Sequence, residues 1–455
     1  MTEPLNASND SAPAAGPAPV VAPAAAAAAS KVPSVVPSPF TGLATAADRS
    51  LTRALVRVTG TAIGPYQSAV VRIGISLTWL LFLLREFPHR HELYGPDGVW
   101  GFGLASRLIA DNHAFTVLMW SDGGLWFEFV YAAAIGASAM LLLGWRTRTA
   151  SLLFMVGVLS LQNRSVFMGD GGDNVVHLMA IYLVFTRCGQ VWSLDARRRA
   201  RSRDGQDGEA TGIALWVALG LFLLVAQLLG RTGLTWTDGM LPWLGWTPFL
   251  WGVLLLQAAW WVVRRYAPGE PRTLLDVFAN ITHNAAMLVI VAEVCLIYAT
   301  AGWYKIQGSR WQDGTALYYP LHLEDFSPWP ELSHALASSG LMVMVITYGT
   351  VIVQVAFPFT LFNRRVKNVL LALMIVEHAS IALVLGLPFF SMAMIAADAV
   401  FLPTGFLRWA GDRLGRLARR GPAGRGDADE RPVVPRPGRG RAEPGAEPAP
   451  TDLSV

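Results

Sequence analysis

Apolar stretches alternate with short polar segments along most of the chain. Ten approach or reach span length, at residues 66–86, 126–144, 149–168, 174–188, 212–229, 248–264, 283–304, 340–362, 366–387 and 389–403. About 20 apolar residues in a helix cross the hydrocarbon core of a bilayer. The pattern therefore predicts an all-α fold, a polytopic transmembrane helix bundle of about ten spans, the fourth and tenth being the shortest. Residues 1–57 are Ala/Pro-rich and read as a disordered cytoplasmic tail, 58–405 as the transmembrane domain, and 406–455 as a basic amphipathic segment followed by a disordered tail.

The connecting loops give an orientation. One alternate set carries Arg146, Arg148, Arg187, the run Arg197 to Arg203, Arg264, Arg265, Arg272, Arg364, Arg365 and Lys367, fourteen cations in all, and the other set only six. Excess Lys/Arg marks the cytoplasmic side, so both termini are expected there, in a multi-pass protein of the cell membrane. Tryptophans such as Trp79, Trp120, Trp145, Trp192, Trp303 and Trp329 fall near span ends, as an interfacial belt requires. Segment 408–420 mixes apolar and basic positions at near-helical spacing and suits an anionic inner leaflet. The long outer loops, 87–125 and 305–339, offer enough chain to cover the outer mouth of the bundle.

Composition agrees with this pattern. Of 455 residues, 53% are hydrophobic and 15% charged, against roughly 25% charged in soluble domains, and the mean hydropathy is +0.40. An ordinary soluble protein is excluded. Net charge is +4, but ten of the 33 arginines lie between Arg408 and Arg441, so the basic balance points to the lipid bilayer as partner and not to nucleic acid. Two cysteines, Cys188 and Cys295, provide neither a disulfide framework nor a Cys-based zinc site.

Ionisable groups inside spans are costly and draw attention for that reason. Glu293 lies ten residues from the inner end of its span and His378 twelve from the inner end of its own, so the two sit at similar depth and are expected to meet in one polar network with Glu377. A satisfied interhelical hydrogen bond is the plainer account of each. Before the fourth span, Asp170, Asp173 and His177 fit a metal reading poorly, and no metal is expected. A helix cap after a glycine turn explains the aspartates more simply. Lys305 stands out because the chain has only three lysines, at 31, 305 and 367. A half-buried lysine can give up its proton where an arginine cannot, which makes Lys305 a candidate general base; a snorkelling interfacial lysine is the alternative.

Arg72-Ile73-Gly74, Asp170-Gly171-Gly172-Asp173, Trp192-Ser193-Leu194-Asp195, the stretch Ala301 to Gly314, and Glu377-His378 with Phe390-Ser391 resemble the HTTM domain. This family comprises bacterial relatives of the vitamin K-dependent gamma-carboxylase. The likeness runs over about residues 60 to 405, and Trp-Ser-Leu-Asp and Ala-Gly-x-x-Lys-(x)5-Trp-x-x-Gly are its most specific parts. It implies Lys305 as the catalytic base and His378 as a catalytic partner, with His322 loosely matching a further family histidine. It also implies a reduced menaquinone or vitamin K-type quinol with O2 and CO2 as cofactors, and a secreted peptide or a lipid as substrate at the outer face. The rival expectation is a non-catalytic membrane protein, a carrier or peptide-maturation partner, whose Glu293, Glu377 and His378 form a structural or ion-conducting network.

Overall fold

A computed structural model describes residues 39–201, 209–232, 235–236 and 243–419. Two compact units divide between Leu55 and Val56. The described part of the first belongs to helix α1 (Pro39–Gly60), whose side chains from 45 to 55 are exposed. Residues 39–57, assigned from composition to a disordered tail, are thus helical. The remainder of that tail, the region 420–455 and Arg203 lie outside the described residues.

Among its described residues, the second unit's regular structure is helical apart from a two-residue antiparallel ladder between Thr235–Trp236 and Trp243–Leu244. Its principal helices are α2 (Pro65–Glu86), α3 (Phe102–Asn112), α4 (Gly124–Leu143), α5 (Thr147–Arg164), α6 (Gly171–Val184), α7 (Leu194–Arg201), α8 (Glu209–Leu228), α9 (Trp246–Tyr266), α10 (Glu270–Gln307), α11 (Pro330–Ala337), α12 (Gly340–Ala356), α13 (Arg364–Val384), α14 (Pro388–Asp398) and α15 (Thr404–Arg419). Among the described residues, seven helices are long and apolar enough to cross a membrane, or eight if the pair formed by α14 and α15, bent by 118°, counts as one.

Three of the ten expected spans do not meet that measure. Helix α5 carries Gln162, Asn163 and several hydroxyl residues, yet most of its length from Thr149 to Leu161 is buried against neighbouring helices. A helix surrounded by protein need not be uniformly apolar. Helix α6 has 14 residues, about 21 Å at 1.5 Å per residue, well short of a 30 Å hydrocarbon core. The stretch 389–403 ends at a sharp bend before Pro403 instead of continuing straight.

Helices α2, α4, α5, α6 and α14 pack on one another around Ile75, Trp79, Leu83, Tyr131, Phe154, Met155 and Met179, all fully buried or nearly so. Close approach is built in at Gly74, where an added Cβ would come 2.4 Å from the Cβ of Ala396. Helices α12 and α13, by contrast, carry large exposed apolar side chains such as Ile352, at 64%, and Val369, at 61%. So wide an apolar exterior is unfavourable in water and ordinary in lipid. Helix α10, with 38 residues, is about 57 Å long and outreaches a bilayer core. Its first half carries Asp276, Asn280, His283 and Asn284, and its second half is the apolar stretch of the sequence.

Candidate functional site

The site grows from one stripe of α10. Met287, Ile290, Val294, Tyr298 and Gly302 are buried and recur at three- and four-residue intervals, and Lys305 is the next position on that face. At Gly302 an added Cβ would meet Val355 Cγ2 at 2.6 Å, so α12 approaches closely there and brings Gln354 to the lysine. Lys305 Nζ donates to Gln354 Oε1 at 2.7 Å, and Gln354 Nε2 donates to Glu377 Oε1 at 2.6 Å. The amide keeps the amine and the carboxyl group apart while linking α10, α12 and α13. Trp311 completes the surroundings, with the ammonium 5.2 Å from its ring centroid, within cation–π range.

His378 follows Glu377 by one residue, about 100° around α13, and so serves a different cluster. The imidazole is 2% exposed, and its Nε2 lies 2.9 Å from the Tyr298 hydroxyl, which donates to the two carboxylate oxygens of Asp398 at 3.0 and 2.9 Å. Tyr298 is 1% exposed and Asp398 not at all. A hydroxyl with its single proton on Asp398 must accept from His378, which assigns the imidazole proton to Nε2. Nδ1 is then a buried acceptor with no partner. Phe390 lies 5.6 Å from the His378 ring and Phe357 5.9 Å from that of Tyr298. Tyr298 and Lys305 share a face of α10 two turns apart, about 10 Å. The two clusters thus meet through consecutive residues of α13 and along one stripe of α10.

The other expected site residues are elsewhere. Glu293 is half-buried on α10, with Tyr182 of α6 as its electrostatic neighbour, and forms no hydrogen bond or ion pair among the described residues. Five residues separate it from Tyr298, a rotation of about 140°, so it cannot share the stripe. Matching depth placed it with His378; helix phase separates them. His322 is exposed, its ring tilted against that of Tyr318 with centroids 4.0 Å apart and bonded to the Tyr318 carbonyl at 2.7 Å, without contact to the network. Asp170 and Asp173 form a reciprocal capping box on α6: Asp170 Oδ1 accepts from the Gly172 and Asp173 amides at 2.6 and 3.0 Å, and Asp173 Oδ2 accepts from the Asp170 amide at 2.9 Å. They border a small cleft of about 120 Å³ with Arg85 and Phe389. His177 instead pairs with Gln162 at 2.9 Å. Among the described residues, no three His, Cys, Asp or Glu side chains are grouped to hold a metal.

The Trp-Ser-Leu-Asp stretch has an architectural part. Asp195 accepts from the Arg146 and Thr147 amides at 3.0 and 2.8 Å and from the Thr147 hydroxyl at 2.9 Å, capping the start of α5 from a distant segment. Arg72, fully buried, donates to the Leu141 and Trp192 carbonyls at 2.9 and 2.7 Å. Gly144, at φ 68°, fits only without a Cβ, which would fall 2.2 Å from Arg72 Nη1.

Three participants were overlooked in the sequence. Asp398 is an acid in an apolar stretch, the same signal that singled out Glu293. Gln354 is the lone amide of its span, and Tyr298 lies seven residues before Lys305, a spacing that puts both on one helix face. Comparison of the chain with family models, with curated proteins and with solved structures finds no match.

Proposed function

We propose that the chain is a multi-pass membrane protein of the HTTM type, acting as a quinol-dependent, carboxylase/epoxidase-like enzyme on a secreted peptide or a lipid at the outer face of the cell membrane. Both termini are cytoplasmic in this reading, on the strength of the arginine distribution between alternate loops. One observation carries the functional part: the Lys305–Gln354–Glu377 chain and the His378–Tyr298–Asp398 cluster adjoin on α13. An amine held by a neutral amide, beside a chain of proton-bearing groups in an apolar interior, is an arrangement for taking up a proton and passing it on.

Two unpartnered polar atoms would suit the oxygens of a hydroxyl-bearing aromatic ring. His378 Nδ1 and Ser391 Oγ are buried without partners, and Phe390 borders the imidazole. A reduced menaquinone or vitamin K-type quinol, with O2 and CO2, supplies when bound the oxidation that drives carboxylation. Lys305 would accept a proton at Nζ, Gln354 would hold the amine in place, and His378 would meet the ring's oxygen through Nδ1. Tyr298 would keep the imidazole oriented through Nε2.

The experiment is turnover of menahydroquinone to its epoxide by the purified protein. Wild-type turnover that disappears in both Lys305→Ala and Lys305→Arg supports the base, since arginine retains the charge but does not titrate. Absence of wild-type turnover refutes the enzyme. A second reading, a non-catalytic proton-conducting network, is favoured by the fact that Lys305 and His378 line neither the small cleft beside α6 nor the larger one at the opposite end of α10. It predicts proton flux in proteoliposomes that Glu377→Gln reduces, with no quinol turnover in the wild type or in Lys305→Ala.

A further inference from the structure

At the far end of α10 from Lys305, about 50 Å away along the helix, the ends of α5, α6, α8, α9 and α10 and the start of α7 enclose a cleft of about 880 Å³. Among the described residues, seven arginines line it and two carboxylates, Asp195 and Asp276. Both acids are already engaged. Asp195 caps α5 and lies 4.0 Å from Arg198. Asp276 pairs with Arg187 at 3.1 Å and reaches Arg272 at 4.0 Å. Arg148, Arg199 and Arg264 form no ion pair among the described residues. The Arg148 guanidinium instead lies over the Trp260 ring, 4.2 Å from its centroid, with Arg187 at 5.9 Å from the same ring.

Holding Arg148, Arg199 and Arg264 together with no ion-pair partner among the described residues is unfavourable unless an anion joins them. The cleft also holds a donor with nothing to donate to, the buried Nε1 of Trp261. Its lining is of mixed chemistry. Beside the arginines it includes Ile213, Ala258, Val262, Val263 and Leu275, together with Trp216. A small hydrophilic anion would satisfy the arginines and leave the apolar residues idle. A headgroup attached to acyl chains satisfies both.

From this combination we infer that the cleft binds a phosphate anion presented as the headgroup of an acidic phospholipid. Guanidinium groups recognise phosphate oxygens through paired donors, the tryptophans sit at headgroup level, and the apolar residues take the first acyl carbons. The cleft is formed by the loops whose arginine content marks the cytoplasmic side, the leaflet face where acidic lipids attract such clusters. This inference is independent of any chemistry at Lys305.

The test is native mass spectrometry of the full chain released from detergent, titrated with dioctanoyl phosphatidylglycerol, with dioctanoyl phosphatidylcholine, and with pyrophosphate. Phosphatidylglycerol is expected to be retained in preference to phosphatidylcholine. Arg148→Gln and Arg264→Gln should each weaken retention about fivefold, and Arg107→Gln, an exposed arginine outside the cleft, should leave it unchanged. A circular-dichroism melt separates a binding loss from misfolding, and the two cleft variants serve as checks on each other. Equal retention of both lipids, or full retention in the Arg148→Gln/Arg264→Gln double variant, overturns the site. Retention of pyrophosphate without phosphatidylglycerol overturns the lipid as its source.

Discussion

Tyr298→Phe is the sharpest perturbation of the buried cluster, because it deletes one oxygen and almost no volume. That oxygen joins His378 at 2.9 Å to Asp398 at 2.9 and 3.0 Å. Its loss strands two groups that are 2% and 0% exposed, neither of which water can readily reach. A buried polar group left without a partner costs about 1–3 kcal/mol, so the pair should cost about 2–5 kcal/mol, against about 1 kcal/mol for an ordinary hydrogen bond. The assay is unfolding of the purified protein by SDS titration in mixed micelles, followed by tryptophan fluorescence. Combining Asp398→Leu with Tyr298→Phe removes one stranded group and should recover part of the loss, giving a coupling of about 1–3 kcal/mol in the double-mutant cycle. A loss below about 0.5 kcal/mol for Tyr298→Phe, or losses that simply add in the double variant, would refute the cluster as one cooperative unit.

Two further perturbations act at a distance from that cluster. Asp195→Ala removes a carboxylate that takes three hydrogen bonds at the start of α5 and should lower stability by about 2 kcal/mol. Asp195→Asn, which keeps one acceptor oxygen, should lose less in the same titration. Gly302→Val drives a side chain into Val355 and should cost about 1–3 kcal/mol by overpacking. The same change should separate Lys305 from Gln354, seen as faster modification of Lys305 by an amine-reactive probe in peptide mapping.

Apolar runs and cation counts were enough to locate most helices, because lipid imposes its requirement on length and polarity residue by residue. They failed where protein replaces lipid as the surroundings. Helix α5 is buried among its neighbours, so its hydroxyl and amide residues carry no penalty and its apolar signal says nothing about crossing. Helix phase was the second limit. Glu293 and His378 were matched by depth, but contact between helices also depends on rotation, and the five-residue step from Glu293 to Tyr298 moves the side chain to another face. Phase is legible in the run Met287, Ile290, Val294, Tyr298, Gly302, Lys305, whose period puts Tyr298 and Lys305 on one face. Asp398 fell short of notice through the brevity of its apolar stretch, although burial of a lone acid there demanded a partner as much as at Glu377.

The stretches that carry the HTTM resemblance do different physical work, and this bears on what the resemblance can support. Arg72 and Asp195 act on backbone: one gathers the Leu141 and Trp192 carbonyls, the other the first amides of α5. Both would be needed by any protein with this arrangement of helices, whether or not it turns over a substrate. The Ala301 to Gly314 stretch combines the two demands, since Gly302 sets the approach of α12 and Lys305 uses it to reach Gln354. Evidence for chemistry therefore rests on Lys305, Glu377 and His378 with the partners that position them, and the Trp-Ser-Leu-Asp match, specific as it is, speaks for the scaffold. On the proposed reading, exchange of Lys305 for arginine would keep the charge at that end of the network and remove its capacity to give up a proton.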